Sequence, residues 1–182
     1  MLITIVTVSY NAASVIEETI KSVLEQTYNQ IEYIIIDGGS TDGTIEIIKK
    51  YSDKISFWIS EPDKGIYDAM NKGALKANGQ YIQYLNASDR ICSPNTIEDI
   101  INNMPDNNPD IVYGDIIMEK SFGTFHLAPK SLSSFNKLFP IFHPSSWIKR
   151  DLLLLNKFDI TFKIAADFKL FRNLYYNSKK EG

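Results

Sequence analysis

The chain has 182 residues, 44% hydrophobic and 23% charged, with a formal net charge of −3. This is the composition of one compact soluble domain with enough chain for a sizeable core, and its charge gives no broad attraction to nucleic acid or to an anionic membrane, although "SKKEG" leaves a local basic patch at the end. A lone Cys92 excludes an internal disulfide and a cysteine cluster for zinc, so any metal is held by oxygen or histidine, and no apolar run of about 18 residues marks a membrane span or signal segment, which points to a cytosolic chain.

In chain order, the β-branched run "LITIVTVS" predicts a strand. "SVIEETIKSVLEQT" then places Ile16, Ile20, Val23 and Leu24 on one helical face, with Ser14 and Glu17 at capping-box spacing. "IEYIIID" is a second strand, ended by "GGSTDGT" and followed by a short helix carrying Ile45, Ile48 and a lysine pair. "ISFWIS" is a third. "IYDAMNKGALKAN" predicts a helix with Ile66, Met70, Ala74 and Ala77 along one side and Gly79 at its end, before a fourth strand, "QYIQYL". Strands alternating with helices imply an α/β fold whose parallel sheet is covered on both faces. Beyond it, Pro94 fits the first turn of a helix bearing Ile97, Ile100 and Ile101, and "DIVYGDIIM" with "FGTFHLA" predicts an antiparallel strand pair. "PSSWIKRDLLLL" and "IAADFKLFRNLYYN" predict a strand or loop and two helices, the last turning Phe168, Phe171, Leu174 and Tyr175 inward.

In open parallel sheets the ligand crevice lies beyond the carboxyl ends of the strands. The residues there are Ser9, Tyr10 and Asn11; Asp37 with "GGSTDGT"; Glu61, Asp63 and Lys64; and Asn86, Ser88 and Asp89. "DGGSTDGT" sets glycines and small hydroxyls between two aspartates, which lets backbone amides approach a ligand; the same residues also make an ordinary turn and helix cap. No GxGxxG follows the first strand and no GxxxxGK[ST] occurs, so the phosphate cradles of dinucleotide dehydrogenases and P-loop enzymes are missing. An acidic chain that binds a diphosphate without them would most simply use a divalent cation.

"TIVTVSYNAASVIEETIKSVLEQTY", "YIIIDGGSTDGT", "SEPDKGIYDAMNKGALKANGQYIQYLN" and "IAADFKLF", in this order, make the chain resemble the family 2 glycosyltransferases of the bacterial polysaccharide-assembly type. The resemblance covers nearly the whole chain and implies a GT-A fold, a Rossmann-like, mostly parallel sheet with a small antiparallel element in the second half. It implies that residues 1–182 form a single catalytic domain ending one helix after Asp167, where family members usually continue, so that part of an acceptor or membrane-association surface is truncated.

The resemblance also assigns roles. Thr7, Ser9 and Tyr10 frame the base and Asp37 accepts from uracil N3–H. Asp68 and Asn71 face the ribose and diphosphate, with Lys72 as a charge partner or a solvated lysine. The family's acidic DXD motif, whose carboxylates bind Mn2+ or Mg2+, is thinned here to "NASD", leaving Asp89 its one carboxylate; water and phosphate oxygens would supply the remaining ligands. Asp167 resembles the general base, and a place in the first turn of a helix would favour its ionised form; the alternative reading is a helix cap. His143 is a candidate for the acceptor or diphosphate side, while His126 reads as packed. Trp147 and Tyr67 are candidates for stacking on a sugar, with equally good core readings.

The implied activity is inverting sugar transfer from a nucleotide-sugar, UDP-linked by the uracil contact, to a glycan or lipid-linked hydroxyl in cell-surface polysaccharide assembly. Its setting would be the cytoplasm or the inner membrane face, with peripheral membrane association and a homodimer both compatible. A nucleotidyltransferase and a catalytically silent sugar-nucleotide binding module are the alternatives.

Overall fold

The computed structural model describes residues 1–178; the end of the basic "SKKEG" tail lies outside them. Seven residues of β1 (Ile3–Ser9) are all buried, because this strand is the centre of a six-stranded sheet. It pairs in parallel with β2 (Ile31–Asp37) on one side and with β4 (Tyr81–Asn86) on the other, while β3 (Phe57–Ser60) extends the sheet beyond β2. Alternate side chains feed two cores, as the two-residue period of a strand requires. Ile3, Ile5, Tyr33, Ile35 and Leu85 meet α1 (Ile16–Leu24), while Val6, Val8, Ile34, Ile36 and Tyr84 meet α3 (Ile66–Lys76) and α6 (Ala166–Ser178). The α/β sheet covered on both faces is thus as expected.

Local details differ from the sequence reading. Ser14 does not cap α1; Glu17 turns away and binds Lys50 Nζ and Tyr51 Oη, both at 2.6 Å, tying α1 to α2 (Thr44–Lys50). Gly79 ends no helix. It lies where a Cβ would come within 2.5 Å of the Thr4 backbone nitrogen, so it marks a close chain crossing after α3 has stopped at Lys76. Pro94 stands outside α4 (Thr96–Asn102), its carbonyl accepting from the Thr27 N–H.

The expected strand pair in the second half divides at Gly114, whose N–H is bonded to the Ser145 carbonyl. The first part, β5 (Ile111–Tyr113), joins the main sheet beside β8 (Ser146–Lys149), which runs antiparallel to β4. The second part, β6 (Ile116–Lys120), pairs with β7 (Gly123–Leu127) as a separate exposed hairpin. After β8 come α5 (Arg150–Leu155) and α6, on which Phe171 is buried and Phe168, Leu174 and Tyr175 pack against the core as expected. Among the described residues no helix is long and apolar enough to cross a membrane.

Candidate active site

The strand register brings the carboxyl ends level: Ser9 lies beside Asp37, Asp37 beside Ser60, and Val8 beside Asn86. The segments that follow open on one edge and enclose a cavity of about 840 Å3, with walls that include Ser9, Tyr10, Gly38, Gly39, Asp63 and Ser88. That volume is typical of small-molecule sites. Tyr10 projects from its wall with 67% of its surface exposed. Loops after β1 and β2 brace one another, since the Asn11, Ala12 and Ala13 N–H groups donate to Ser40, Thr44 and Asp42 side chains.

Asp37 has no exposed surface and does not line the cavity. Its carboxylate accepts from five donors: the Ser9, Ser40 and Ser60 hydroxyls and the Gly39 and Ser40 backbone N–H groups, at 2.6–3.1 Å. Burial alone pushes this carboxyl up, but those donors outweigh it and hold it below the ordinary carboxylate range. The carboxylate expected to meet a base instead ties three strand ends together and sets the turn that walls the cavity. Thr7 is likewise interior, its hydroxyl sharing a 3.0 Å hydrogen bond with Tyr33 Oη.

Among residues of α3, Asp68 accepts from the Lys64 N–H at 3.1 Å, and Lys72 reaches Glu61 at 2.8 Å and the Pro62 carbonyl at 3.3 Å. Both therefore brace the loop from Glu61 to Lys64. The Asn71 amide is engaged at both ends by the Phe158 backbone, its nitrogen donating to the Phe158 carbonyl at 2.9 Å and its oxygen accepting from the Phe158 N–H at 3.0 Å, which pins the segment ahead of α6.

At the end of β4 a polar relay begins. Asp89 Oδ2 accepts from the Asn86 N–H at 3.2 Å, and burial pushes its carboxyl above the ordinary value. The Asn86 amide nitrogen lies 3.1 Å from His143 Nε2, and His143 Nδ1 lies 3.0 Å from Asp167 Oδ2. With Asn86 Nδ2 donating, Nε2 is the acceptor and Nδ1 carries the proton that it gives to Asp167. Tyr67 Oη donates to the other Asp167 oxygen at 3.2 Å. Asp167 is 7% exposed and sits in the first turn of α6. Burial pushes it up, yet the hydrogen bonds from His143, the Phe168 N–H and Tyr67 hold it below the ordinary range, which favours an ionised carboxylate fixed in orientation by its donors. Asn86 Oδ1 is left buried without a hydrogen-bond partner.

The structure thus brings His143, Tyr67, Asp89 and Asp167 together, and adds Asn86, whose role as the link was hidden in the thinned "NASD". Tyr67 is an orienting donor, buried against Phe158, and not a free stacking face. Trp147 is a core residue, 1% exposed, with its indole N–H on Gln83 Oε1 at 2.9 Å, because β8 lies inside the sheet. His126 is exposed on β7 beside Asp115, not packed.

Residues 4–173 match the family model for "Glycosyl transferase family 2". An uncharacterised glycosyltransferase of Mycobacterium tuberculosis (strain CDC 1551 / Oshkosh) is 31% identical over 173 residues, covering 91% of this chain and 65% of the relative, so the chain spans about two thirds of that relative's length. A PGL/p-HBAD biosynthesis glycosyltransferase of Mycobacterium bovis (strain BCG / Pasteur 1173P2) is 28% identical over 176 residues, 92% of this chain and 67% of its own. Among solved structures, residues 1–349 of Staphylococcus aureus TarS in complex with UDP superpose with a TM-score of 0.77 at 20% identity, over 94% of this chain and 54% of that one. Glucosyl-3-phosphoglycerate synthase from Mycobacterium tuberculosis in complex with UDP gives 0.65 at 14% identity, over 95% and 66%. A mannosyltransferase from Pyrobaculum calidifontis in complex with GDP-Man and Mn2+ gives 0.64 at 23% identity, over 87% and 47%. The sheet is therefore of the GT-A kind, and by the family match over residues 4–173 the chain belongs to glycosyltransferase family 2.

Proposed function

We propose that this domain catalyses inverting transfer of a sugar from a UDP-sugar to a hydroxyl of a glycan or lipid-linked acceptor, in the assembly of cell-surface polysaccharide. The observation that carries the reading is the relay from Asp89 through Asn86 and His143 to Asp167, which links a candidate cation edge to an oriented base and starts in the segment whose Ala87 and Ser88 line the cavity. UDP in two of the structural neighbours supports the choice of donor.

The orphaned Asn86 Oδ1 and the Asp89 carboxylate are hard oxygen donors that fit Mn2+ or Mg2+. Among the described residues no group of three His, Cys, Asp or Glu side chains gathers to hold an ion alone, so nucleotide phosphates and water would complete the shell. When bound, such a cation offsets the charge that develops on a departing diphosphate. The protein's own step is proton transfer. As the acceptor oxygen bonds to the anomeric carbon and the bond to UDP breaks, the hydroxyl proton passes to Asp167, whose carboxylate is held in place by His143 and Tyr67.

The test is UDP release from UDP-sugars with and without acceptor. Asp167→Asn is expected to lower transfer by roughly 100-fold or more while UDP affinity holds. Wild-type turnover in that variant refutes the base assignment, and UDP binding without turnover in the native chain indicates a silent binding module.

A further inference from the structure

The burial of Asp37 leaves the cavity with a different carboxylate. Asp63 is the one aspartate or glutamate among the residues that line it. Its Oδ1 accepts from the Gly65 N–H at 2.7 Å, which fixes the side chain, while its Oδ2 has no hydrogen-bond donor among the described residues. That free oxygen overhangs Gly38: a Cβ built there would lie 2.6 Å from Asp63 Oδ2 and 3.4 Å from the Tyr10 ring. The absence of a side chain at Gly38 is therefore what admits the Asp63 carboxylate beside Tyr10, an exposed aromatic suited to packing on a planar base.

We infer that Asp63 is the residue that selects the donor's base, with Oδ2 accepting the N3–H of a uracil ring. The inference rests on the UDP-sugar reading above and deepens it. Its chemistry follows from one oxygen being committed and one free. A carboxylate with both oxygens available pairs with the two adjacent donors of guanine, N1–H and the 2-amino group; with only Oδ2 available, the match is to a base offering a single ring N–H between two carbonyls. Cytosine presents a lone pair at N3, which the carboxylate repels. Lys72 pairs with Glu61 at 2.8 Å and with Asp68 at 3.8 Å, so its direct ion pairs are with carboxylates other than Asp63.

Two substitutions act on this contact from opposite sides. Asp63→Asn can keep its oxygen on Gly65 while placing an NH2 at the Oδ2 position, turning an acceptor into a donor. Gly38→Ala leaves the carboxylate intact but puts a methyl group 2.6 Å from Oδ2, closer than the two can sit, so the carboxylate must shift. Calorimetric titration of UDP and CDP, each with Mn2+, against the wild type and both variants tests the idea. Wild type is expected to prefer UDP. Asp63→Asn is expected to lose about 10- to 100-fold in UDP affinity, the range for one hydrogen bond to a charged group, and to move the UDP-to-CDP ratio toward CDP. Gly38→Ala is expected to weaken UDP without gaining CDP. Melting temperatures of Asp63→Asn should stay near wild type. An unchanged UDP-to-CDP ratio in Asp63→Asn, with wild type binding UDP, overturns the base assignment alone. A wild type that binds neither nucleotide overturns it together with the donor reading.

Discussion

Replacing Asp37 separates a residue that holds the site from one that touches ligand. In Asp37→Asn the amide oxygen can take the Gly39 and Ser40 N–H groups, and its NH2 can face the Ser9 and Ser40 hydroxyls, which rotate to accept. What is lost is the ionic character of the bonds, at a cost of about 2 kcal/mol. In Asp37→Ala no acceptor remains. Two backbone N–H groups and three hydroxyls lose their common partner, and at about 1–3 kcal/mol for each buried donor left unsatisfied, partly relieved by hydroxyl rotation and water, the cost is about 4 kcal/mol. At about 3 °C per kcal/mol for a domain of this size, melting temperature should fall by about 6 °C for Asn and about 12 °C for Ala. The pH dependence has a definite sign. A carboxyl held below its ordinary pKa contributes stability that is fully present above about pH 4 and drains as pH falls further, so the gap between wild type and Asp37→Asn should narrow below pH 4. Thermal melts across pH 3–7, with UDP titrations at pH 7, are the assay. If both variants melt within about 1 °C of wild type yet bind UDP weakly, Asp37 is a ligand contact and the bracing argument fails.

His143→Ala removes the donor that helps hold Asp167 low, so the acidic limb of the transfer-rate profile should move to higher pH; an unmoved limb would show that His143 does not set the base. Asp89→Ala should abolish the dependence of UDP affinity on Mn2+ or Mg2+ and leave uridine binding nearly unchanged, and equal UDP affinity with chelator and with metal in the wild type would remove the cation from the site. Because burial raises Asp89, protons should displace the cation at a higher pH than an ordinary carboxylate near pH 4 would allow, which metal titrations at pH 5 and pH 7 would detect. Trp147→Ala should cost about 3–5 kcal/mol of stability with lost chemical-denaturation midpoint, while Trp147→Phe, if it folds, should transfer sugar at near wild-type rate, since the indole lies in the core.

Much of this was legible in the chain itself. Runs such as "ITIVTVS" and "IEYIIID" are apolar on both faces, and only a central strand of a covered parallel sheet can bury them so; the polar residues that end them had to fall on one edge. Asp167 was singled out by the family resemblance, with a first-turn position only a condition for its ionised form, and the structure puts it in the first turn of α6. Three-dimensional pairing decided what local pattern could not. Asp37 and Asp63 look equally free on paper, but the register of β1, β2 and β3 surrounds Asp37 with Ser9, Ser40 and Ser60, whereas Asp63 keeps an open oxygen because Gly38 has no side chain to exclude it. Trp147 carries an amphipathic side chain that would suit a sugar, and only the insertion of β8 between β4 and β5 puts it inside. The link between Asn86 and Asp167 runs through His143, which comes from a different part of the chain. Hydrophobic burial has a short sequence period and can be read along one segment; hydrogen-bond partners across strands have none, and are decided when the sheet assembles.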